Sequence, residues 1–285
     1  MKILVFGAGG MIGHKMFKNL KLEGFNVYGT LKQSREKYES FHLFDSQNSF
    51  EYIDVINRMD VLTVLNQIRP DVVLNCIGIT LRKPEIKDFD YCVRINSEFP
   101  HFLNNWCENN NSYLVHFSTD CVFSGKDGPY TEKSYTSADD FYGRTKSLGE
   151  VFSESAITLR GSMIGEELFG KTELLEWAFS QENKTIKGFS NVMYAGVTTS
   201  VMAELVGKLI RSSERLVGLY QVSSKPISKY AFLQLINTAF NLNMTIAEDK
   251  SYASSKILLS DKLSGKIGFR CPEWSVMIDQ LVNEK

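Results

Sequence analysis

The chain has 285 residues, which predicts one large α/β unit or two closely joined parts. Apolar residues make up 43% and charged residues 23%, values typical of globular proteins, so disorder and fibrous repeats are excluded. The formal net charge is -1, and this balance lacks the basic surplus expected of a nucleic-acid-binding protein.

The sequence indicates neither a targeting segment nor a metal site. No apolar run approaches the roughly 18 residues of a membrane-spanning helix, and the run Ile3–Phe6 is too short for a signal-peptide core. The five cysteines are scattered without a C-x-x-C pair, which favours free thiols and a cytoplasmic location. The four histidines have no metal-ligand spacing, so we expect no metal site, no membrane association and no nucleic-acid partner.

The first half alternates short apolar runs with helical patterns. The predicted elements are strands at Lys2–Phe6, Phe25–Tyr28, near Tyr52–Asp54, Val72–Ile77 and Tyr113–Phe117, and helices at His14–Leu22, Val61–Ile68 and Arg94–Asn109. Mostly apolar strands separated by helices are typical of a parallel sheet covered on both faces. The sequence therefore predicts a Rossmann-like, doubly wound α/β fold.

The second half is less regular. The predicted elements are strands at Ala156–Arg160 and Gly218–Val222, and helices at Glu173–Ser180, Val201–Ile210 and Lys229–Phe240. We expect residues 1–165 to form the Rossmann-like domain, joined by the strand near 218–224, and residues 166–285 to form a smaller mixed α/β part. The apolar residues of the helix at 173–180 suit either core packing or a lid.

A glycine-rich turn lies between the first predicted strand and the first predicted helix. Gly7, Gly10 and Gly13 fit the spacing G-x-x-G-x-x-G. Such glycines permit a sharp turn and bring the backbone close to a pyrophosphate at the helix N-terminus, so we expect a dinucleotide site that includes Met11 and Ile12. The alternatives are a turn that binds nothing or binds a mononucleotide. A P-loop is excluded because no Gly-Lys-Ser/Thr follows.

The end of the second strand bears on the choice between NADPH and NADH. An acidic residue there would bind a ribose 2′-hydroxyl, whereas basic residues accommodate a 2′-phosphate. The segment from Tyr28 has no carboxylate before Glu36, but it contains Lys32 and Arg35. NADPH is therefore favoured, and NADH is the alternative. Lys32 and Arg35 can also be interpreted as ordinary solvated charges of a loop.

Tyr142-Gly-Arg-Thr-Lys146 is the second informative motif. On a helix, residues four apart share a face, so the phenol and the ammonium project together. An adjacent cation is expected to lower the pKa of a tyrosine toward the working range of an acid–base group. The strand that ends at Ser118 and Thr119 places hydroxyl groups at the edge where doubly wound sheets bind ligands.

Several motifs together resemble those of the extended short-chain dehydrogenase/reductases. They are Gly7-x-x-Gly10-x-x-Gly13, Asn75–Gly78, Ser118–Phe123 with Gly125, Pro129–Glu132 and Tyr142–Lys146. The closest branch looks like the dTDP-4-dehydrorhamnose reductases, which are nucleotide-sugar 4-ketoreductases. The resemblance is specific over residues 1–165 and looser to about residue 230.

The resemblance implies a role for each catalytic residue. Tyr142 would donate a proton to the C4 ketone oxygen of a nucleotide-linked 4-keto-6-deoxyhexose while a hydride arrives from NADPH. Lys146 would lower the Tyr142 pKa and bind the nicotinamide ribose, and Thr119 would hydrogen-bond the carbonyl. Asp120 and Met163 would lie on the substrate side.

Other positions match the cofactor contacts of that family. Asp54 and Val55 match the adenine-contact position after the third strand, and the ribose-side strand end is matched by Cys76, Ile77 and Gly78. Asn96 matches a helix position that supports the active site. The part formed by residues 166–285 would then be mainly substrate-binding, and a homodimer is one expected assembly.

One departure weakens the match to the dTDP-linked substrate. Relatives that act on rhamnose precursors usually carry Trp where this chain has Met163, and later segments resemble a subgroup found with UDP-linked N-acetylated 6-deoxy sugars. The alternatives are therefore a UDP-2-acetamido-2,6-dideoxyhexos-4-ulose reductase and a non-catalytic regulatory subunit on the same fold. An epimerase or dehydratase is disfavoured because Asp120 alone supplies no Asp/Glu acid–base pair.

Overall fold

The computed structural model describes residues 1–284. Its strands are β1 Lys2–Phe6, β2 Asn26–Thr30, β3 Ser49–Phe50, β4 Val72–Asn75, β5 Tyr113–Ser118, β6 Ala156–Arg160, β7 Met163–Ile164, β8 Thr185–Phe189, β9 Val192–Tyr194, β10 Val197–Thr198, β11 Gly218–Gln221, β12 Ile227–Ser228, β13 Thr245–Asp249 and β14 Ser254–Ser255. Seven of them form a sheet in the order β11–β6–β5–β4–β1–β2–β3, with every neighbouring pair parallel. The predicted Rossmann-like, doubly wound fold is confirmed.

The helices connect these strands. They are α1 Met11–Leu22, α2 Arg58–Ile68, α3 Phe89–Val93, α4 Phe99–Asn109, α5 Phe141–Leu148, α6 Leu174–Phe179, α7 Thr199–Arg211, α8 Lys229–Ala239, α9 Asp261–Ile267 and α10 Trp274–Glu284, with 3-10 turns at Arg35–Phe41, Pro84–Lys87 and Asp120–Val122. No helix among residues 1–284 is both long enough and apolar enough to cross a bilayer.

Two predicted boundaries are wrong for identifiable reasons. The third strand ends at Phe50 instead of spanning 52–54, because Tyr52 adopts a left-handed backbone with φ of 55°. The helix predicted from Arg94 already begins at α3 and continues through a π-helical segment, Arg94–Glu98, into α4. Pro100 has no N–H to continue the regular hydrogen-bond ladder, which accounts for the wider turn before it.

The sheet is buried on both faces, which explains why its strands are apolar throughout. In β1, Ile3 and Val5 pack into one core cluster, whereas Leu4 and Phe6 pack into the cluster on the opposite face. Successive side chains of a strand point to opposite faces, so each layer of helices receives every second residue. This burial fixes the position of the carboxyl edge of the sheet, and with it the loops that carry the site.

The second half of the chain contributes to both parts of the molecule. α7 packs against α1, and β11 pairs with β6 at the edge of the large sheet. The smaller part combines the pairs β7–β10 and β8–β13 with the sheet β12–β9–β14. Lys15 of α1 pairs with Glu284 at 2.8 Å, which ties α10 back to the first helix.

Candidate active site

A cavity of about 470 Å³ opens at the carboxyl edge of the large sheet. Its wall combines the glycine-rich turn, the ends of β4 and β5, and residues of the smaller part. Clefts at this edge, outside the carboxyl ends of parallel strands, are where doubly wound folds bind ligands. The cavity is therefore the candidate site among residues 1–284.

The glycine-rich turn forms one wall. Gly7 has φ of 78°, and a Cβ on Gly13 would lie 2.0 Å from the Gly7 carbonyl oxygen. These two positions accept only glycine, because they shape the turn and let α1 start against it. Between them, Gly9, Gly10, Met11 and Ile12 line the cavity. A backbone cradle at a helix N-terminus suits the pyrophosphate of a dinucleotide.

The basic residues after β2 lie outside this cavity. The Lys32 ammonium donates to the Tyr91 hydroxyl at 3.2 Å, and that hydrogen bond raises the pKa of Lys32. Arg35 pairs with Glu51 and donates to the Ser49 carbonyl at 3.0 Å. The Arg35 charge is thus already partly neutralised by Glu51. A 2′-phosphate bound there would share the guanidinium with that carboxylate.

The predicted adenine-side residues lie in the loop after β3 and likewise outside the cavity. The Asp54 carboxylate accepts the N–H of Ile56 at 3.0 Å, and Val55 is buried, with its carbonyl accepting from Arg58 at 2.7 Å. Asp54 is close enough to Lys32 to raise its pKa. The structure brings these two loops together but does not place them in the cavity.

The residues predicted at the end of β4 line the cavity, and Asn96 supports them from the helix behind. Cys76, Ile77 and Gly78 line the cavity. Asn96 is fully buried and holds this loop from behind: its amide donates to the Ile79 carbonyl at 3.0 Å and its oxygen accepts the Ile79 N–H at 2.8 Å. Asn96 therefore positions the cofactor wall without lining it.

Thr119, Tyr142 and Lys146 line the same cavity. Thr119 follows β5, and Tyr142 and Lys146 lie one helical turn apart on α5. A Cβ on Gly143 would lie 2.0 Å from the Cys121 carbonyl oxygen, so α5 packs directly on the loop after Thr119. This close approach, which only glycine permits, sets Tyr142 beside Thr119.

The electrostatics of Tyr142 correct one expectation. Its pKa is raised, mainly by burial and then by Cys121, whereas a hydrogen bond with Thr119 acts to lower it. The net shift is therefore upward, although the neighbouring Lys146 is expected to lower the pKa. Desolvation has the largest effect on the Tyr142 pKa, because a buried phenolate loses its hydration. A phenol with a raised pKa stays protonated at neutral pH, which suits a proton donor.

The Lys146 ammonium is held by a hydrogen bond to the large sheet. Its ammonium donates to the Phe117 carbonyl at 2.7 Å, and burial lowers its pKa to about 8, while Glu150 acts to raise it. Glu150 in turn accepts from Arg160 at 2.8 and 2.6 Å and from the Ser118 hydroxyl at 2.6 Å. The lysine thus points at the sheet edge, supported by a buried network.

Another wall of the cavity contains the two residues predicted to contact the substrate, together with Arg82, Lys83, Tyr194 and Lys229. Asp120 and Met163 line the cavity, and burial raises the pKa of Asp120. Arg82 and Lys83, in the loop after β4, line it as well. Lys83 pairs with Glu167 at 2.9 Å, and Arg82 donates to the Thr172 carbonyl at 3.1 Å.

Tyr194 and Lys229, which the sequence pattern does not single out, line the cavity from the smaller part. Lys229 opens α8, directly after the capping Ser228. A cation in the first turn opposes the helix dipole, and this unfavourable placement is a signal that the sequence already contained. In α6, Leu175 is buried in the core while Leu174 lines the cavity, so that helix serves both packing and the site.

Comparison with characterised proteins gives relatives of two kinds. The chain is 25% identical over 300 residues to the spore coat polysaccharide biosynthesis protein SpsK of Bacillus subtilis, covering 100% of this chain and 98% of that protein. It is 26% identical over 242 residues to the dTDP-4-dehydrorhamnose reductase of Aggregatibacter actinomycetemcomitans, covering 81% and 76%. Methionine adenosyltransferase 2 subunit beta of Rattus norvegicus is 26% identical over 152 residues, which are 52% of this chain and 41% of that subunit.

Solved structures share the fold along the whole chain. The dTDP-4-dehydrorhamnose reductase of Bacillus anthracis, solved with NADP, superposes with a TM-score of 0.82 at 20% identity, covering 100% of this chain and 99% of that one. The Bordetella bronchiseptica enzyme WbmG, solved with NAD and UDP, gives 0.81 at 14% identity, covering 99% and 93%. Both neighbours were solved with a nicotinamide dinucleotide bound.

The family model settles the assignment. The model of the RmlD substrate binding domain matches residues 1–284. The resemblance to dTDP-4-dehydrorhamnose reductases drawn from the sequence motifs is thereby confirmed. The chain belongs to the RmlD substrate binding domain family.

Proposed function

We propose that the protein reduces the C4 ketone of a nucleotide-linked 4-keto-6-deoxyhexose with NADPH. The observation that carries this proposal is the convergence of Thr119, Tyr142 and Lys146 with the glycine cradle on one cavity. The cradle fits a dinucleotide, because the turn leads into the N-terminus of α1, where free N–H groups can bind a pyrophosphate. When bound, the nicotinamide supplies the hydride; the residues supply everything else.

Tyr142 acts as the proton donor. Its raised pKa keeps the phenol protonated, and Thr119 lies within hydrogen-bonding reach of it, so both hydroxyl groups can point at one ketone oxygen. The Thr119 hydroxyl accepts the Cys121 N–H at 3.1 Å and donates to Asp120 Oδ1 at 3.2 Å. By turning its one proton from Asp120 to the substrate, it can donate to the developing alkoxide. Two donors at one oxygen stabilise the charge that the hydride creates there.

Lys146 stabilises the site electrostatically and binds the cofactor ribose. Its ammonium is fixed by the Phe117 carbonyl, so it lies at the strand end where the ribose of a dinucleotide would rest. The cation favours the phenolate that remains after Tyr142 has given up its proton. Reprotonation of Tyr142 from solvent then completes the cycle.

A second candidate differs in the sugar and the nucleotide. Met163, a flexible thioether, lines the cavity where dTDP-rhamnose enzymes usually carry Trp, and this favours a UDP-2-acetamido-2,6-dideoxyhexos-4-ulose as substrate. The third candidate, a non-catalytic regulatory subunit, is supported by the match to methionine adenosyltransferase 2 subunit beta over 52% of this chain. The complete set of Thr119, Tyr142 and Lys146 ranks it below the reductases, because a binding subunit needs no proton donor.

The experiment that tests the function follows NADPH consumption with a panel of 4-keto-6-deoxy sugar nucleotides, dTDP- and UDP-linked, with and without a 2-acetamido group. We expect Tyr142→Phe to lower turnover by about 10²–10⁴-fold and to leave NADPH binding intact. Tyr135→Phe is the matched control, since Tyr135 is 95% exposed and outside the cavity. Full activity in Tyr142→Phe would refute the assigned donor.

The wider role follows from the same proposal. The product sugar would enter a surface polysaccharide, a role that the name of the SpsK relative supports. All five cysteines are free thiols in the structure, which is compatible with the predicted cytoplasmic location. The homodimer remains a prediction, to be measured by light scattering.

A further inference from the structure

The two residues after Thr119 place titratable groups on the wall where the ketone would bind. Asp120 and Cys121 both line the cavity, the first with a carboxyl group and the second with a free thiol. Reduction uses neither side chain as an acid or a base. In a 4-keto sugar, the hydrogens on the carbons next to the ketone are acidic, because the carbonyl takes up the electron pair that deprotonation leaves. A base at this wall therefore meets a second reactive position in the same substrate.

Asp120 is tied to the hydroxyl that faces the ketone. Thr119 Oγ1 donates to Asp120 Oδ1 at 3.2 Å, and Asp120 is only 9% exposed. When Thr119 turns its one proton to the ketone oxygen, the carboxylate loses that hydrogen bond while it lies beside the substrate. Burial raises the pKa of Asp120, against the opposing effects of Lys256 and Lys229. A carboxylate with a raised pKa is a stronger base, and one better matched to neutral pH.

Cys121 supplies a proton donor next to that base. Its N–H donates to the Thr119 hydroxyl at 3.1 Å, and a Cβ on Gly143 would lie 2.0 Å from its carbonyl oxygen. Cys121 is thus held between Thr119 and the helix that carries Tyr142, near enough to act on the Tyr142 pKa. Burial raises the pKa of Cys121 to about 12, so at neutral pH its sulfur carries a proton.

We propose that the protein also moves a proton at a carbon next to the C4 ketone, C3 or C5, with Asp120 as the base and Cys121 as the acid. The proposal rests on the reductase function for its substrate, and it adds an epimerisation that precedes hydride transfer. Asp120 has no Asp/Glu partner in the sequence, which disfavours an epimerase, but the Cys121 thiol on the same wall fills that role.

The step balances without a redox partner. Asp120 takes the proton from the carbon, the C–H electron pair becomes a C=C bond, and the carbonyl pair moves to the oxygen to give an enolate. Tyr142 and Thr119 hydrogen-bond that enolate oxygen with the same two hydroxyl groups that serve the reduction. The Cys121 thiol then protonates the carbon from the other side and the carbonyl re-forms. The proton on Asp120 returns through water to the thiolate, which leaves the epimeric ketone as the product.

Solvent deuterium measures this step without any reduction. The full-length protein is saturated with NADP⁺, which has no hydride to give, and incubated in D₂O with dTDP- and UDP-linked 4-keto-6-deoxy sugars, against a blank without protein. We expect deuterium at C3 or C5 together with the epimeric ketone, measured by mass spectrometry and proton NMR. Asp120→Asn, which keeps an oxygen for Thr119, should slow the exchange by about 10²–10⁴-fold. Cys121→Ala should suppress the epimer by about 10²-fold and retain part of the exchange, because Asp120 still removes the proton.

The controls change the same chemical groups elsewhere. Cys271→Ser and Asp261→Asn alter a thiol and a carboxylate that do not line this cavity, and both should exchange like the unaltered protein. Thermal melting checks that each site variant is folded. Because the two site substitutions act on different steps, one folded variant is enough to test the assignment.

The outcomes separate this inference from the proposed function. Reduction of a 4-keto sugar by NADPH, without deuterium at C3 or C5 above the blank, overturns the proton transfer while the function stands. Exchange and epimer formation in Asp120→Asn and Cys121→Ala equal to those of the unaltered protein also overturn it. Deuterium at C3 or C5 without NADPH consumption by any 4-keto sugar supports the proton transfer and removes the reductase.

Discussion

Glu150 and Arg160 form a doubly hydrogen-bonded ion pair in the interior, with each side chain only 2% exposed. The pair links α5, which carries Tyr142 and Lys146, to the end of β6, because Glu150 follows that helix and Arg160 ends that strand. Glu150 is also the group that acts to raise the pKa of Lys146. The buried pair therefore supports the active-site lysine as well as the fold.

We predict that Glu150→Gln destabilises the protein by about 3–5 kcal/mol, because it leaves the Arg160 charge buried without a counterion. Urea denaturation followed by circular dichroism measures the loss. Asp139→Asn is the control, since Asp139 pairs with Lys126 on the surface and both are largely exposed; it should change little. Equal stability of Glu150→Gln and the unaltered protein would contradict the role of the pair.

The pH dependence of turnover follows from Lys146. Burial lowers its pKa to about 8, so its side chain is a cation below that pH and neutral above it. Tyr142, with its raised pKa, stays protonated across the same range. We therefore expect kcat for ketone reduction to fall as the pH rises through about 8, measured by NADPH consumption at saturating substrate.

Lys229 gives a matched control for that titration, since its pKa is also about 8. In Lys229→Arg, the charge of this side chain persists above this pH. The fall of kcat should remain, because it belongs to Lys146. A kcat that does not change through this range would refute the assignment to the cationic form of Lys146.

Gly13→Ala is expected to abolish NADPH binding and to destabilise the fold. Its Cβ would lie 2.0 Å from the Gly7 carbonyl oxygen, and overpacking of this kind costs about 1–3 kcal/mol or more. Fluorescence titration with NADPH and thermal melting report the two effects. In contrast, Gly265→Ala within α9 meets no neighbour and should stabilise by about 0.5–1 kcal/mol. Normal NADPH affinity in Gly13→Ala would show that the turn tolerates a side chain.

Arg35 tests the choice of cofactor. If it shares its charge between Glu51 and a 2′-phosphate, Arg35→Gln should raise KM for NADPH by about 10-fold and leave KM for NADH unchanged. Lys37→Gln, an exposed charge in the same 3-10 turn, should affect neither. Equal loss for both cofactors would mean that Arg35 acts through the loop instead of the phosphate.

Much of the fold follows from the sequence alone. Local apolar runs and helical spacing predict most strands of the large sheet, because a strand buried on both faces must be apolar at successive positions. The glycine turn and the Tyr142–Lys146 spacing likewise indicate the site, since each depends on residues adjacent in sequence. The family motifs then indicate the chemistry, because several short patterns occur in one order.

Contacts between distant segments are decided by the tertiary structure alone. Lys229, Tyr194 and Arg82 meet at one cavity although no local pattern relates them. The upward pKa shift of Tyr142 depends on its burial by surrounding elements, which the spacing to Lys146 does not encode. Local patterns report propensities over a few residues, whereas desolvation and long-range approach arise only when the whole chain packs around the site.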